Sequence, residues 1–419
     1  MLCRRLVRIW QPRVAMTILV AETVQGVILN IQPIKNNKMK KLILMLVSVA
    51  FAATATMAQS VPNLPKKLHS GPWKAGHVQG IAVDAKQEFV YLSFTTMLVK
   101  MNMKGEVVGT VTGILGHLGC LEFNEEDGRL YGSLEYKNDA IGKGILKQEG
   151  VSKQLETGFY VAIFDVEKID RKDMNAESDG VMTTVLLKTI VKDHLAKVKT
   201  KSGKILEHRY GCAGFDGISF GPAFDGSGKR LLTVAYGIYG DTGRTDNDYQ
   251  VLLQYDTENW AKYEAPLSQD KMHHRGPSKP YGKYFVYTGN TTWGVQNLEY
   301  DKTHNIWLLA CYAGKKSTFS NYTLFAVNGA EKPIVRPLYG VGYEEVGPVL
   351  VYSYKGGRTD RKDIDVRGWY NKLGACGMCS LGDGYFYLAS AEKSKQGRSA
   401  TLHLARYKAG RNNAFEILQ

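Results

Sequence analysis

The chain has 419 residues, of which 44% are apolar and 11% aromatic, enough to bury a large core in one or two domains. Its 44 Gly and 24 Tyr, with little helical patterning, argue against a helical bundle and for an all-β architecture. The formal charge of +14 is dispersed, part of it lies in the first 67 residues, and basic and aromatic residues do not interleave, so no nucleic-acid surface is indicated.

The N-terminal segments read as processing signals, not as fold. Met39-Lys40-Lys41 precedes the apolar run Leu42 to Ala53, and Ala55-Thr56-Met57-Ala58 offers small residues for cleavage before Gln59. Residues 1–38 are then an upstream extension from a misassigned start, 39–58 a signal peptide and 59–70 a linker with Pro and Lys. The apolar run is short for a bilayer span, and no Cys follows the cleavage region to carry a lipid. The mature chain is expected to be periplasmic or secreted, without a stable membrane anchor, and monomeric.

From residue 71 one pattern is written five times. Each copy is a short alternating strand, a polar turn and a second apolar strand, a hairpin signature. The copies start at Gly76-His77-Val78-Gln79, Gly116-His117-Leu118-Gly119, Gly214-Phe215-Asp216, Gly294-Val295-Gln296 and Ala375-Cys376-Gly377. Asp84, Asn124 and Asp301 recur after the first strand as turn residues. Third strands follow at Met97 to Met101, Phe159 to Asp165, Val251 to Asp256, Tyr322 to Val327 and Thr401 to Tyr407. Fourth strands are expected at Val107 to Val111, Thr183 to Ile190, Lys262 to Leu267, Pro333 to Leu338 and Ala414 to Leu418.

Five four-stranded units predict a β-propeller spanning 71–419 as a single domain, with six to eight blades as the alternative. Equivalent positions Gly80, Cys120, Gly217, Asn297 and Met378 are 40, 97, 80 and 81 residues apart. Three of these gaps are about double the usual blade length of roughly 40–45 residues. Long inserts explain them better than hidden blades, because Lys137 to Gly158, Asp241 to Asp248 and Arg358 to Gly368 are polar or Gly-rich. Tyr284 to Thr288 and Val349 to Ser353 would be displaced strands if blades were hidden. Val191 to Lys204 is Lys-rich with helical character. Cys120, Cys311 and Cys379 fall inside strands as small buried hydrophobes, and Cys376-Gly-Met-Cys379 would suit a local disulfide better than zinc.

In a propeller the innermost strands surround a channel, so aligned leading turns form a ring at one mouth. Two positions of the repeat share a face, one holding His77, His117, Gly214, Gly294 and Ala375, the other Gln79, Gly119, Asp216, Gln296 and Gly377. His77 and His117 would act as acid and base, with Asp216 orienting one of them. The same three residues would suit a divalent metal through two nitrogens and an oxygen. Gln79, Gln296 and Asn297 suit sugar hydroxyls and Trp293 a pyranose face, while the bland alternative is that these groups bond blade to blade at a crowded axis. Arg244, on the insert after a second strand, and Arg275, beside His273 and His274 in a Pro- and Gly-punctuated loop, are candidates to hold an acidic substrate. Arg244 could equally pair with Asp241 or Asp246 in a structured turn. Glu122 and Glu299 alternate away from the ring face and are expected to bridge blades by salt bridges. The chain contains no GxxxxGK[ST], HExxH or GxSxG motif.

The signal ending in Met57-Ala58-Gln59 and the repeat of Gly, apolar strand, turn and apolar-Tyr-apolar strand resemble secreted propeller proteins of gut Bacteroidota over residues 70 to 418. The His77/His117 pair is similar in kind to the mouth residues of glycan-active propellers such as polysaccharide lyases, without any residue-by-residue transfer. The resulting expectation is a glycan or other small polar ligand, an acidic glycan included, at the channel mouth, with His-based chemistry if the protein is an enzyme. Two alternatives stand beside it, a non-enzymatic interaction scaffold and a metal-dependent phosphoester hydrolase.

Overall fold

Each repeat folds as its alternation requires, and the first shows how. Val78–Val83 and Phe89–Phe94 pair antiparallel, and Asp84 sets the turn between them. Its carboxylate accepts from the backbone N–H of Lys86 (3.1 Å), Glu88 (2.9 Å) and Phe89 (2.6 Å), an Asx arrangement that satisfies three donors at once. The computed structural model describes residues 5–11, 14–23, 26–30, 63–289, 292–343 and 346–419, in two units, 1–62 and 63–419. In the first unit Arg5–Gln11, Val14–Thr23 and Gly26–Asn30 form an antiparallel meander. The expected signal peptide at 39–58 lies outside the described residues.

In the second unit five antiparallel sheets follow one another. Blade 1 is Val78–Val83, Phe89–Phe94, Met97–Asn102 and Val107–Thr112; blade 2 is His117–Asn124, Arg129–Tyr136, Gly158–Phe164 and Met182–Leu186. Blade 3 is Cys212–Pro222, Arg230–Ile238, Tyr249–Tyr255 and Gly282–Tyr287. Blade 4 is Val295–Asp301, Ile306–Cys311 and Leu324–Asn328, and blade 5 is Met378–Gly382, Tyr385–Lys393, Arg398–Tyr407 and Phe415–Ile417. Each first strand packs on that of the next blade, and the fifth returns to the first. The fold is a five-bladed β-propeller.

Apolar residues fill the wedges between adjacent sheets, as between blades 4 and 5, where Leu308, Ala326, Met378 and Phe386 are buried together. Among the described residues no helix is long and apolar enough to cross a membrane.

The long gaps are inserts, but two expected fourth strands belong elsewhere. Ala265–Pro266, within the Lys262 to Leu267 segment, pairs with the edge of blade 2, and the fourth strand of blade 3 is Gly282–Tyr287. Ile334–Pro337, expected to complete blade 4, pairs instead with Val346–Val349, which joins the outer edge of blade 3 through Phe285. Both strays end in Pro, which has no N–H for a further ladder and so closes an open edge. Blade 4 keeps three strands, flanked by the single bridges Leu324 to Trp369 and Val327 to Tyr352. The segment from Lys137 to Gly158 is not a plain loop. It holds the helix Ala140–Gln148, capped by Asp139, whose Oδ1 accepts from Ile141 and Gly142 N–H at 3.0 Å. A second short helix, Lys188–His194, precedes blade 3, and Cys376 and Cys379 are both free thiols.

The ring is closed by both parts of the chain together. Lys67–His69 pairs with Thr401–His403, and Phe415–Ile417 pairs with Ala405–Tyr407 on the same outer edge of blade 5.

Inside the ring, polar side chains tie inner strands together through backbone groups. Glu122 Oε1 accepts from Phe220 N–H at 3.2 Å, linking blades 2 and 3, and Glu299 Oε1 accepts from Ser380 N–H at 2.8 Å, linking blades 4 and 5. The expected salt bridges are thus replaced by bonds to backbone. Burial pushes the Glu122 carboxyl up to about 8 from an ordinary 4.5, and burial with the neighbouring Glu122 pushes Glu299 well above its usual range. The folded protein therefore holds protons that the unfolded chain has already released, and stability falls as pH rises from about 4.5 through about 8. Glu122→Gln keeps the acceptor for Phe220 and removes the ionisation. It is expected to raise the melting temperature by a few degrees at pH 9 and to change it little at pH 5; an equal effect at both would contradict the assignment.

Candidate functional site

The mouth residues reach the channel because inner strands carry a bulge at the same place. Gln79 is an extra residue between Val78, opposite Phe94, and Gly80, opposite Ser93. Gln296 is the extra residue between the Val295 and Asn297 pairs, Asp216 and Gly217 stand opposite one partner position, and so do Gly119 and Cys120. A β-bulge turns a side chain out of the pleat, here toward the axis. The second ring position of the repeat is thus the bulge position in the first four blades.

These turns open on a cavity of about 470 Å³ lined by His77, Gln79, His117, Asp216, Trp293 and Gln296, all expected at the mouth. Glu135, Lys137, Tyr312 and Lys315 line it as well. These four were not foreseen. Glu135 and Tyr312 stand at or just beyond the ends of second strands, where the chain leaves the sheet toward the same mouth. Aligning the ends of the second strands as well as the leading turns would have found them.

Arg244 and Arg275 are not among the lining residues. Arg244 is bound to Asp246 through Nε and Nη2, each at 2.8 Å, and donates to the carbonyls of Glu207 and His208. That is the structured-turn alternative, a loop tied in place. Arg275 is exposed, and its carbonyl accepts from Leu186 N–H on the outer strand of blade 2, far in the blade from the inner strand. His273 bonds Thr184 at 2.8 Å on that same strand.

At the floor, His117 Nδ1 lies 3.4 Å from Asp216 Oδ1 and 3.8 Å from Glu135 Oε2. The outer oxygens are pinned: Asp216 Oδ2 accepts from Gln296 Nε2 at 3.0 Å, and Glu135 Oε1 from Phe215 N–H at 2.5 Å. Lys137 Nζ sits 2.7 Å from Glu135 Oε2. Above them His77 Nε2 is 3.4 Å from the Tyr312 hydroxyl, and Gln79 Nε2 contacts His77 Nδ1 at 3.4 Å and donates to Thr95 Oγ1 at 3.2 Å. Trp293, 38% exposed, stands at the rim with its ring 6.4 Å from Tyr239, edge to face.

Burial dominates the electrostatics. It lowers His77 to about 4, helped by His117, and lowers His117 to about 4 against the opposing pull of Glu135, so both imidazoles are neutral at pH 7. It raises Glu135 to about 7 and Asp216 to about 6, while Lys137 works in the other direction on both. Lys137 itself is held above its ordinary value, because Glu135, Asp139 and Asp216 outweigh its burial. Neutral imidazoles and carboxyls poised near neutrality are groups that exchange protons with a ligand.

No protein-family model and no curated protein matches the chain. Among solved structures it is similar to the calcium structure of the Trichoderma reesei carbohydrate-active enzymes family AA12, at 10% identity and a TM-score of 0.33, covering 77% of this chain and 80% of that one. The holo pyranose dehydrogenase PQQ domain of Coprinopsis cinerea is similar at 10% identity and 0.30, covering 77% and 81%. A protein of unknown function from Bacteroides caccae is similar at 10% identity and 0.27, covering 67% and 88%.

Proposed function

We propose that the channel mouth binds and chemically processes a glycan, in an exported protein whose signal is the segment 39–58. The observation that carries this is the convergence of an exposed indole, two carboxamides and a neutral imidazole on one cavity of about 470 Å³. Trp293 offers an apolar face for a sugar ring, and Gln79 and Gln296 offer amides to its hydroxyls. In an elimination, His77, neutral at pH 7, takes the proton from the carbon beside the sugar carboxylate. A C=C bond forms as the C–O bond at the next carbon breaks, and Tyr312, beside His77, gives its hydroxyl proton to the leaving oxygen. The basic rim residue Lys315 favours an acidic sugar.

A purely structural ring accounts for Asn297, which donates to the carbonyls of Gln79 and Ala375 across three blades. It does not account for His117 Nδ1 and Asp216 Oδ1, buried without a hydrogen-bond partner.

The test is a panel of acidic and neutral polysaccharides, followed by mass change and by the ultraviolet absorbance of an unsaturated product. His77→Ala is expected to lower turnover by about 10²–10⁴-fold with binding retained, and Trp293→Ala to weaken binding. Full activity in the natively folded His77→Ala, His117→Ala double variant would remove the reading.

A further inference from the structure

We propose that His117, Glu135 and Asp216 form a site for one divalent transition-metal ion of the zinc class at the floor of the cavity. The inference concerns the cavity assigned above to a glycan, but it rests on protein geometry alone and stands if the glycan reading fails.

The donor set comes first. One imidazole nitrogen and two carboxylate oxygens lie within 4.8 Å of one another, and among the described residues this is where such donors cluster. Two ligand atoms each about 2.0–2.1 Å from a tetrahedral metal stand roughly 3.4 Å apart. His117 Nδ1 and Asp216 Oδ1 are already 3.4 Å apart, and His117 Nδ1 and Glu135 Oε2 are 3.8 Å apart. Small side-chain movements complete the triangle. All three residues line the cavity, so a fourth position would face it, the arrangement of three protein ligands and one open place found where zinc acts on a substrate.

The second observation points independently to an occupant. Asp216 is 8% exposed, and its Oδ1 has no hydrogen-bond partner; His117 Nδ1, facing it, has none either. With Nδ1 the bare nitrogen of a neutral imidazole, two lone pairs face each other, both dry and both unpaired, an unfavourable arrangement that a shared cation removes. The charges agree. With both carboxyls ionised, as metal ligands are, Lys137 offsets one and leaves one negative charge for the ion, and Glu135 Oε2 has a second lone pair besides the one facing Lys137.

The surrounding bonds fix the ligands as metal sites require. Gln296 holds Asp216 by its other oxygen and Phe215 N–H holds Glu135 by its other oxygen. Gly119 leaves the room: a Cβ there would lie 2.7 Å from Asp216 Oδ1 and 2.4 Å from Ser133 Oγ. His77, expected beside His117 and Asp216 as a ligand, faces Tyr312 and Gln79 instead, and Glu135 takes its place.

The experiment uses the whole chain, stripped with chelator, then titrated with Zn²⁺ by calorimetry and loaded with Co²⁺ for visible spectroscopy, with no sugar present. One ion per chain is expected, with the intense visible bands of a four-coordinate cobalt site. Asp216→Asn and Glu135→Gln should weaken binding at least tenfold and lose those bands, while Glu122→Gln, which does not line this cavity, keeps both. If either ligand variant fails to fold, Gln296→Leu serves, with roughly 10–100-fold weaker binding expected from the loss of the group that orients Asp216. Absence of a bound ion in the wild-type chain, or the same affinity and spectrum in the folded variants, overturns the site. A metal that binds while no glycan does would leave this site standing and remove only the sugar.

Discussion

A chain beginning at Gly71 is expected to be less stable than one beginning at Asn63 by about 4 kcal/mol or more, read as the urea midpoint of the two. The lost segment is eight residues with only three of strand, yet it finishes the outer edge of blade 5 and joins the start of the ring to its end. Leu68 is buried there, and burying a Leu contributes about 1.5–3 kcal/mol. The same cut removes backbone bonds from Leu404 N–H to Lys66 and from Ser70 N–H to Ala400, each worth about 0.5–1.5 kcal/mol net. It also deletes the Ser70 hydroxyl that accepts from Ala400 N–H, leaving a buried donor to find water. An unchanged midpoint would mean that the ring is held shut by its inner strands alone.

Gly214→Ala should cost about 2–4 kcal/mol and dismantle the floor of the cavity as well. The residue has φ of +124°, which side chains rarely adopt, and an added Cβ would fall 2.6 Å from the Phe159 ring and closer still to Glu135 Oε1. Glu135 cannot yield without giving up Phe215 N–H and its contact with Lys137. Gly128→Ala is the matched control, since its φ is +69° and nothing lies within 4 Å of a new Cβ, so it reports backbone strain alone, about 1 kcal/mol. Urea denaturation of the two variants compares mild left-handed strain with overlap plus the harsher strain at φ +124°. If Gly214→Ala lost no more stability than Gly128→Ala, the close approach of Glu135 to the backbone of blade 3 would be wrong.

Much of the mouth was legible because a repeat is a coordinate system. Once five hairpins are aligned, His77, Gln79, His117, Asp216 and Gln296 fall at equivalent positions, and a closed ring must bring equivalent positions together. The bulges that aim them were not legible. A bulge is a mismatch between two strands, and it exists only when the partner strand is known. Trp293, named for its indole, stands one residue before the fourth copy and so shares its leading turn.

Arg244 and Arg275 show the opposite case. Both lie on inserts whose path follows no repeat, and their surroundings depend on carbonyls and edge strands far away in sequence. Glu135 and Lys137 look, in sequence, like solvated charges at a strand end. Only packing against blade 3 makes Glu135 a buried carboxylate. The strays Ala265–Pro266 and Ile334–Pro337 were read as completing their own blades because sequence order was the guide, whereas an open strand edge takes whichever segment reaches it.

By itself, then, the sequence determined the all-β class, the five repeated hairpins and the ring of leading turns, because alternation and repetition are local properties that each hairpin carries whole, while the structure decided that no further blade lies between them. The tertiary structure alone decided which charges are dry, which loop arginines are already engaged, and that His117 meets two carboxylates while His77 does not. Glu135 faces His117 across one hairpin, but its burial, the approach of Asp216 and the partners of the arginines depend on segments that no local pattern brings together.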